Sequence, residues 1–282
     1  MRKYSSEFIQ CDNKKLKEEN RNLAWYLTTH ITLYIVLFFF LIFFAWYTVF
    51  ITTHRFYAVY NISMKGTLNS KIADDEIDPS KISYDAVYIN KLDQARIFDI
   101  VVVQNKDSSA VKRLLAEAGD YITIAKTEND EYAFYRIPKG SDLSTYTDEM
   151  ARVDETSGVN GYTIYSSEQW WEERDKAQIS TISEISDVEY EDKFFNRFIA
   201  NREQYQTHIS ENGMIYVQVP EGKVFFMGDN RARSTDCREK GFEDKEKIVG
   251  RTEFIVYDYN FANRLLEVVK FYFKQMEEFF AR

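Results

Sequence analysis

Residues Leu23–Thr53 contain no Asp, Glu, Lys or Arg, and their centre, Ile31–Thr52, is almost wholly apolar. An α-helix rises ~1.5 Å per residue, so about 20 residues cross the hydrocarbon core of a bilayer. A buried helix of a water-soluble domain is rarely this long, this aromatic and this uniformly apolar. The run therefore predicts a transmembrane helix. A cleavable leader carries an apolar stretch of only about 7 to 15 residues and a small-residue exit. This segment is longer and runs into Phe50-Ile51-Thr52-Thr53-His54-Arg55, so residues 23–53 are expected to remain as an anchor in the bilayer. Arg2, Lys3, Lys14, Lys15, Lys17 and Arg21 precede the run, while only Arg55 and Lys65 follow it closely. Basic flanks stay on the cytoplasmic side. The expectation is a single-pass protein of the cell membrane, with a cytoplasmic tail over 1–22 and everything beyond Arg55 extracytoplasmic.

Composition narrows the rest. The net charge of -9 gives no electrostatic support for binding nucleic acid. Residues 125–216 hold 19 acidic and 9 basic side chains, which accounts for the whole excess. Two cysteines, Cys11 and Cys237, make no disulfide framework, and the topology would place them on opposite sides of the membrane. The three histidines, His30, His54 and His208, show no ligand spacing, so neither a metal site nor a Cys-His catalytic pair is expected. No cofactor is implied.

The chain after the span reads as mainly β. Phe56–Tyr60, Ala86–Asn90, Ile97–Gln104, Ala110–Leu115 and Tyr121–Ala125 are strand-like, as are Val217–Val219, Val224–Met227 and Thr252–Tyr257. Residues 54–124 and 217–258 are thus expected to form one antiparallel β core split in sequence. Residues 125–216 are expected to be an inserted acidic α+β lobe, with helical character at Ser166–Lys176 and Val188–Tyr205. Residues 259–282 have an amphipathic helical pattern, which suits packing on the core or lying on the membrane.

Four local patterns follow the span in order. The first is Ser63-Met64-Lys65-Gly66-Thr67-Leu68. The second is Asp85-Ala86-Val87-Tyr88-Ile89-Asn90-Lys91 with Asp99-Ile100-Val101-Val102. The third is Val111-Lys112-Arg113-Leu114 with Gly119-Asp120. The fourth is Val219-Pro220-Glu221-Gly222-Lys223-Val224-Phe225-Phe226-Met227-Gly228-Asp229-Asn230-Arg231, then Ser234-Thr235-Asp236-Cys237-Arg238. Taken singly, each has an ordinary reading: an outer loop, a solvated strand face, a tight turn, a surface ion-pair cluster. Together, in this order, they resemble the bacterial type I signal peptidase family. That family carries a Ser-Met-x-Pro-Thr-Leu box after a membrane span, a Lys-Arg box ending in Pro-Gly-Asp, and a Gly-Asp-Asn-Arg-x-x-Ser-x-Asp-Ser-Arg box. The chain departs from it at Gly66, Ala116, Ala118 and Cys237, and residues 125–216 match none of its pattern.

The resemblance implies a serine endopeptidase that removes signal peptides from secretory pre-proteins. Ser63 would be the nucleophile and Lys112 the general base. A serine hydroxyl needs a base at neutral pH, and a lysine serves when burial lowers its pKa. Ala110, Val111, Leu114 and Leu115 make the Lys112 segment suitably apolar. Ser234 would orient Lys112. The Ser63 N–H would hold the oxyanion, with Asn61 either as a second donor or as a residue chosen for the unusual backbone angles it tolerates. Asp229, Asp236, Arg113 and Arg238 would form a charged cluster fixing the Ser234 loop. An extended substrate would add as a strand beside Phe56, Ala58 and Tyr60, with Met64 also near it. The competing readings are a non-catalytic peptidase-like scaffold that binds secretory proteins, and a Ser-Lys self-cleaving regulator. The second lacks its expected Ala-Gly or Cys-Gly bond in residues 54–62.

Overall fold

The computed structural model describes residues 6–65, 67–69, 84–106, 108–126, 132–153 and 193–281. These fall into two units, Met1–Thr53 and His54–Arg282.

The first unit is one helix, α1 (Ser6–Thr53), whose large apolar side chains from Ile31 to Ile51 are almost all about half exposed or more. None of its apolar window is buried against protein, which distinguishes it from the core helix of a soluble domain. Its threonines satisfy themselves. The Thr28, Thr32 and Thr48 hydroxyls each donate to the carbonyl four residues earlier at 2.8 Å, so none presents an unpaired donor on the apolar surface.

The second unit is mainly β and antiparallel. Its larger sheet is built from β1 (His54–Ala58), β2 (Ala86–Asn90), β3 (Ile100–Gln104), β4 (Ser109–Glu117), β9 (Lys223–Met227), β10 (Glu243–Asp244) and β11 (Ile248–Val256), in the order β1-β2-β11-β3-β4-β9-β10. The smaller sheet has the order β6-β5-β8-β7, from β5 (Tyr121–Lys126), β6 (Tyr132–Ile137), β7 (Thr207–Ile209) and β8 (Ile215–Gln218). The first three residues of the expected Ile97–Gln104 strand form a turn instead. Phe98 adopts φ 74° and the Asp99 carboxylate accepts the Arg96 N–H at 2.8 Å, which turns the chain, while the Phe98 N–H still donates to the Leu114 carbonyl of β4 at 2.7 Å.

The main core lies where the two sheets meet. Val101, Leu114 and Phe225 come from the larger sheet and Ile122, Phe134 and Val217 from the smaller. Phe194, Phe198 and Val153 join the same core. The segment 125–216, expected as a lobe outside a complete core, therefore supplies two strands and several core side chains wherever it is described. The acidic excess hid this, because charge says nothing of which aromatics turn inward: Phe134 and Phe194 both pack against Phe225, which lies far from either in sequence. Arg136 Nε also bonds the buried Asp120 carboxylate at 2.8 Å and locks β6 to the β4–β5 turn. The helix expected at Ser166–Lys176 lies outside the described residues. The second helical stretch is seen in part, as an irregular turn over Phe195–Ile199 and a short 3₁₀ turn at Arg202–Gln204.

Three further helices complete the domain's described residues. A four-residue helix, α2 (Asp148–Ala151), sits on β6, and α3 (Cys237–Lys240) follows the Ser234 loop. The C-terminal helix α4 (Phe261–Ala281) is capped by Asn260, whose side chain accepts the Asn263 N–H at 2.9 Å.

Candidate active site

Side chains alternate across a strand, and this separates the two functional residues of the Lys-Arg pair on β4. Lys112 is 4% exposed and its Nζ donates to Ser234 Oγ at 3.0 Å. Burial among apolar neighbours pushes its pKa down to about 8. Asp236 and Asp229 push the other way, and Lys240 and Arg238 reinforce the fall. Ser234 in turn hydrogen-bonds the Asp236 carboxylate, so the hydroxyl accepts from the lysine and donates to the acid. Among the described residues, Lys112 Nζ makes no hydrogen bond to the Ser63 hydroxyl. Catalytic contacts are often long before substrate arrives.

Asp236 is fixed from several sides. Arg238 Nε and Nη2 donate to it at 2.8 and 2.9 Å, and the Gly228 N–H at 3.0 Å. These donors hold its carboxyl below the usual range despite its burial. Arg238 Nη2 also bonds the Arg231 carbonyl at 2.8 Å, which closes the Ser234 loop on itself.

The other half of the charged cluster holds the serine segment rather than the Ser234 loop. Arg113, pointing to the opposite face from Lys112, makes a two-pronged bond to Asp229 at 2.8 and 2.5 Å. The same carboxylate accepts from Thr67 Oγ1 at 2.5 Å. Arg113 Nη1 also bonds the Phe98 carbonyl at 2.7 Å. Next along the chain, the Asn230 N–H donates to the Ser63 carbonyl and Asn230 Nδ2 to the Ile62 carbonyl, each at 3.0 Å. Arg113, Asp229, Asp236 and Arg238 are all at most 2% exposed, which excludes a solvated surface cluster. Sequence reasoning passed over Arg231, also buried, although it stands inside the Gly-Asp-Asn-Arg box.

Gly228 joins the two halves. A Cβ placed on it would collide with both Ser234 Oγ and the Ser63 carbonyl. The lack of a side chain at this one position lets the Ser63 segment and the Ser234 hydroxyl close on the same backbone. Ser63 is 7% exposed there.

Three expected site residues are placed differently. The Ser63 N–H donates to Asn61 Oδ1 at 3.0 Å, so the Asn61 amide faces the hole with its oxygen, as an acceptor rather than a second donor. A backbone N–H requires an acceptor opposite it, which fixes the orientation of the amide. Met64 is fully buried, and its Sδ accepts the Asp229 N–H at 3.5 Å, so it fills core and lines no open surface. Phe56 packs in an aromatic cluster with Tyr88 and Tyr259, at ring distances of 4.7 and 5.7 Å. Tyr60 is 60% exposed, and β1 forms one edge of the larger sheet. Cys237 is a free, buried thiol whose pKa is raised well above its ordinary value by burial. It accepts the Phe226 N–H at 3.3 Å and has no nucleophilic character.

Residues 30–257 match the family model described as signal peptidase, peptidase S26. The signal peptidase I of Streptococcus pneumoniae serotype 4 is 25% identical over 188 residues, covering 66% of this chain and 80% of that protein. The Aquifex aeolicus signal peptidase I is 25% identical over 200 residues, covering 66% and 73%. A Bacillus licheniformis signal peptidase I reaches 49% identity, but over 45 residues, 16% of this chain and only 24% of that protein. Among solved structures, a signal peptidase I from Enterococcus faecalis is similar at 18% identity with a TM-score of 0.25, covering 56% of this chain and 97% of that one. With the family model spanning most of its length, the chain belongs to the signal peptidase family of S26 peptidases.

Proposed function

We propose that this chain is a membrane-anchored serine endopeptidase that removes signal peptides from secretory pre-proteins by a Ser63–Lys112 dyad. The observation that carries the reading is the buried Lys112 amine, its pKa lowered to about 8 and its Nζ bonded to Ser234, beside a serine segment clamped to the same Gly228–Asn230 backbone.

In the acylation step, neutral Lys112 takes the Ser63 Oγ proton as the oxygen attacks the scissile carbonyl carbon. The intermediate's oxygen collects negative charge beside the Ser63 N–H, once the Asn61 amide has turned away. Lys112 ammonium then gives its proton to the leaving amine, the C–N bond breaks and an ester remains. Water attacks the ester, losing a proton to Lys112, and return of that proton to Ser63 restores the enzyme.

The substrate enters as an extended strand along the outer edge of β1, which pairs with no other strand among the described residues, near Ala58 and Tyr60. Ser63 stands ten residues beyond the last residue of α1, which suits a substrate that is itself held in the bilayer. The reading is tested by incubating the full chain in detergent with a pre-protein and sequencing the new N-terminus. A single cut just after a small residue supports it, and an intact pre-protein sinks it. The N-in orientation predicts that protease added outside intact cells digests residues beyond Arg55 and spares residues 1–22. Protection of the segment beyond Arg55 would reverse the topology.

A further inference from the structure

We propose that the outward face of α4 lies in the headgroup region of the same bilayer that holds α1, giving the peptidase domain a second membrane contact. The inference rests on the reading of α1 as an anchor.

The helix is apolar on two sides. Its inner side seats on the larger sheet. Phe271 is 4% exposed with its ring 5.1 Å from that of Phe254, and Tyr272 Oη lies 3.2 Å from Tyr88 Oη. The outer side carries Phe261, Leu265, Leu266, Val269, Phe273 and Met276, each between 42% and 70% exposed. At ~100° per residue these six fall within an arc of about 140°. A helix seated on a sheet is normally polar on its outward face, and a soluble domain rarely leaves so continuous an apolar strip to water. Glu267, Lys270, Lys274 and Glu277 lie along one flank, where Lys270 and Glu267 pair at 3.1 Å, and Arg264 sits over Phe56 on the seated side. That distribution suits a helix lying in an interface plane.

Chain connectivity identifies the occupant. The strand β1 begins at His54, the residue joined directly to Thr53 at the end of α1. The platform under α4 is made from these first residues. The His54 ring stacks on Tyr88 at 5.6 Å, and Phe56 lies beneath the Arg264 guanidinium at 5.9 Å. The seat of α4 is thus built on the strand that continues directly from the apolar span, and this continuity of chain is what names lipid as the occupant. Over Phe261–Ala281, Arg264, Lys270 and Lys274 balance Glu267, Glu277 and Glu278, so the attraction is hydrophobic and needs no anionic lipid.

The test uses the full chain with Cys11→Ser, reconstituted in vesicles of phosphatidylcholine alone. Cys237 is buried and stays unlabelled. Single cysteines at Phe273, Met276, Phe39 and Glu221 carry an environment-sensitive fluorophore, and lipids bearing a nitroxide near the headgroup act as quencher. Glu221 lies in the turn before β9, toward the sheet edge opposite β1. Loss of emission at Phe273 and Met276, greater than with a nitroxide deep in the acyl chain, and none at Glu221, is the expected result. Quenching at Phe39 by the deep nitroxide, without quenching at Phe273 or Met276 by either, overturns the inference and leaves the anchor intact. Disulfide cross-linking of Phe273→Cys copies in that case would assign the face to a second copy. Absence of quenching at Phe39 by the deep nitroxide as well would overturn the anchor reading itself.

Discussion

A lysine at its ordinary pKa of 10.5 is neutral in about one molecule in three thousand at pH 7, whereas at about 8 the fraction is about one in ten. On the proposed dyad mechanism, that difference is what burial of Lys112 supplies to Ser63. Because the neutral form is the active one, kcat/KM is expected to rise about tenfold per pH unit toward pH 8 and then level. A profile flat from pH 6 to 9 would count against lysine as the base. The same shift has a stability sign. Below about pH 8 both folded and unfolded chains carry the ammonium, and burying it costs roughly 3 kcal/mol. That cost disappears as pH rises from about 8 to 10.5, where the unfolded chain still holds the proton. Asn61 gives a second residue-scale prediction. Its oxygen caps the Ser63 N–H at rest, so Asn61→Ala is expected to lower kcat by less than tenfold, not the hundred- to thousand-fold typical of losing an oxyanion donor. Asn61→Asp, a stronger acceptor that cannot donate, should impair kcat/KM more than Asn61→Ala. The reverse ranking would restore the donor role. Sequence alone named Asn61 but not which end of its amide faces the hole, because that depends on the fold of residues 61–63.

At the scale of elements, the site is a junction of β4, the serine segment and the Gly228–Arg238 loop. Gly228 is its tightest point. Gly228→Ala has to displace the Ser63 carbonyl or Ser234 Oγ, and overpacking of this kind costs about 1–3 kcal/mol. A domain of this size should melt a few degrees lower. If the proposed dyad is right, activity should fall far more than stability, since Ser63 and the Ser234 partner of Lys112 are both re-aimed. A Gly228→Ala protein with normal kcat would show that the two halves of the site are not coupled through this residue. Much of this element-level picture was legible beforehand. The apolar runs gave β2 as Ala86–Asn90 and placed Lys112 on a buried strand. Burial of Arg113 and Arg238 was not legible, because an arginine enters a core only when a carboxylate from a distant segment meets it. Asp229 meets Arg113 from 116 residues away. The strands β6, β7 and β10 were also missed, since they are short or polar and owe their pairing to neighbours.

At the scale of the whole molecule, the acidic segment is woven into the domain at both ends. Val153 and Phe194 belong to the same core, and β6 and β7 complete the smaller sheet. Replacing residues 128–212 would remove these and should prevent folding. Replacing only 155–191 with a Gly/Ser linker of about ten residues keeps every described core residue, and is expected to leave cleavage of a simple peptide within a few-fold of normal. A folded but inactive protein of this kind would place part of the active site in the excised stretch. The charge count alone suggested a detachable lobe. Net charge reports what faces water and is silent about the few aromatics, here Phe134, Phe194 and Phe198, that face inward.

The central claim is that Ser63 and Lys112 act as one unit, and the most direct measurement is kcat/KM for pre-protein cleavage by Ser63→Ala, Lys112→Ala and the double variant, with folding checked by circular dichroism. Residues that work as a unit give strongly non-additive losses. The account predicts that each single variant falls to background while staying folded, and that the double variant is no worse than either. A Lys112→Ala protein that still cleaves, or a double variant whose loss is the product of two moderate single losses, would contradict it.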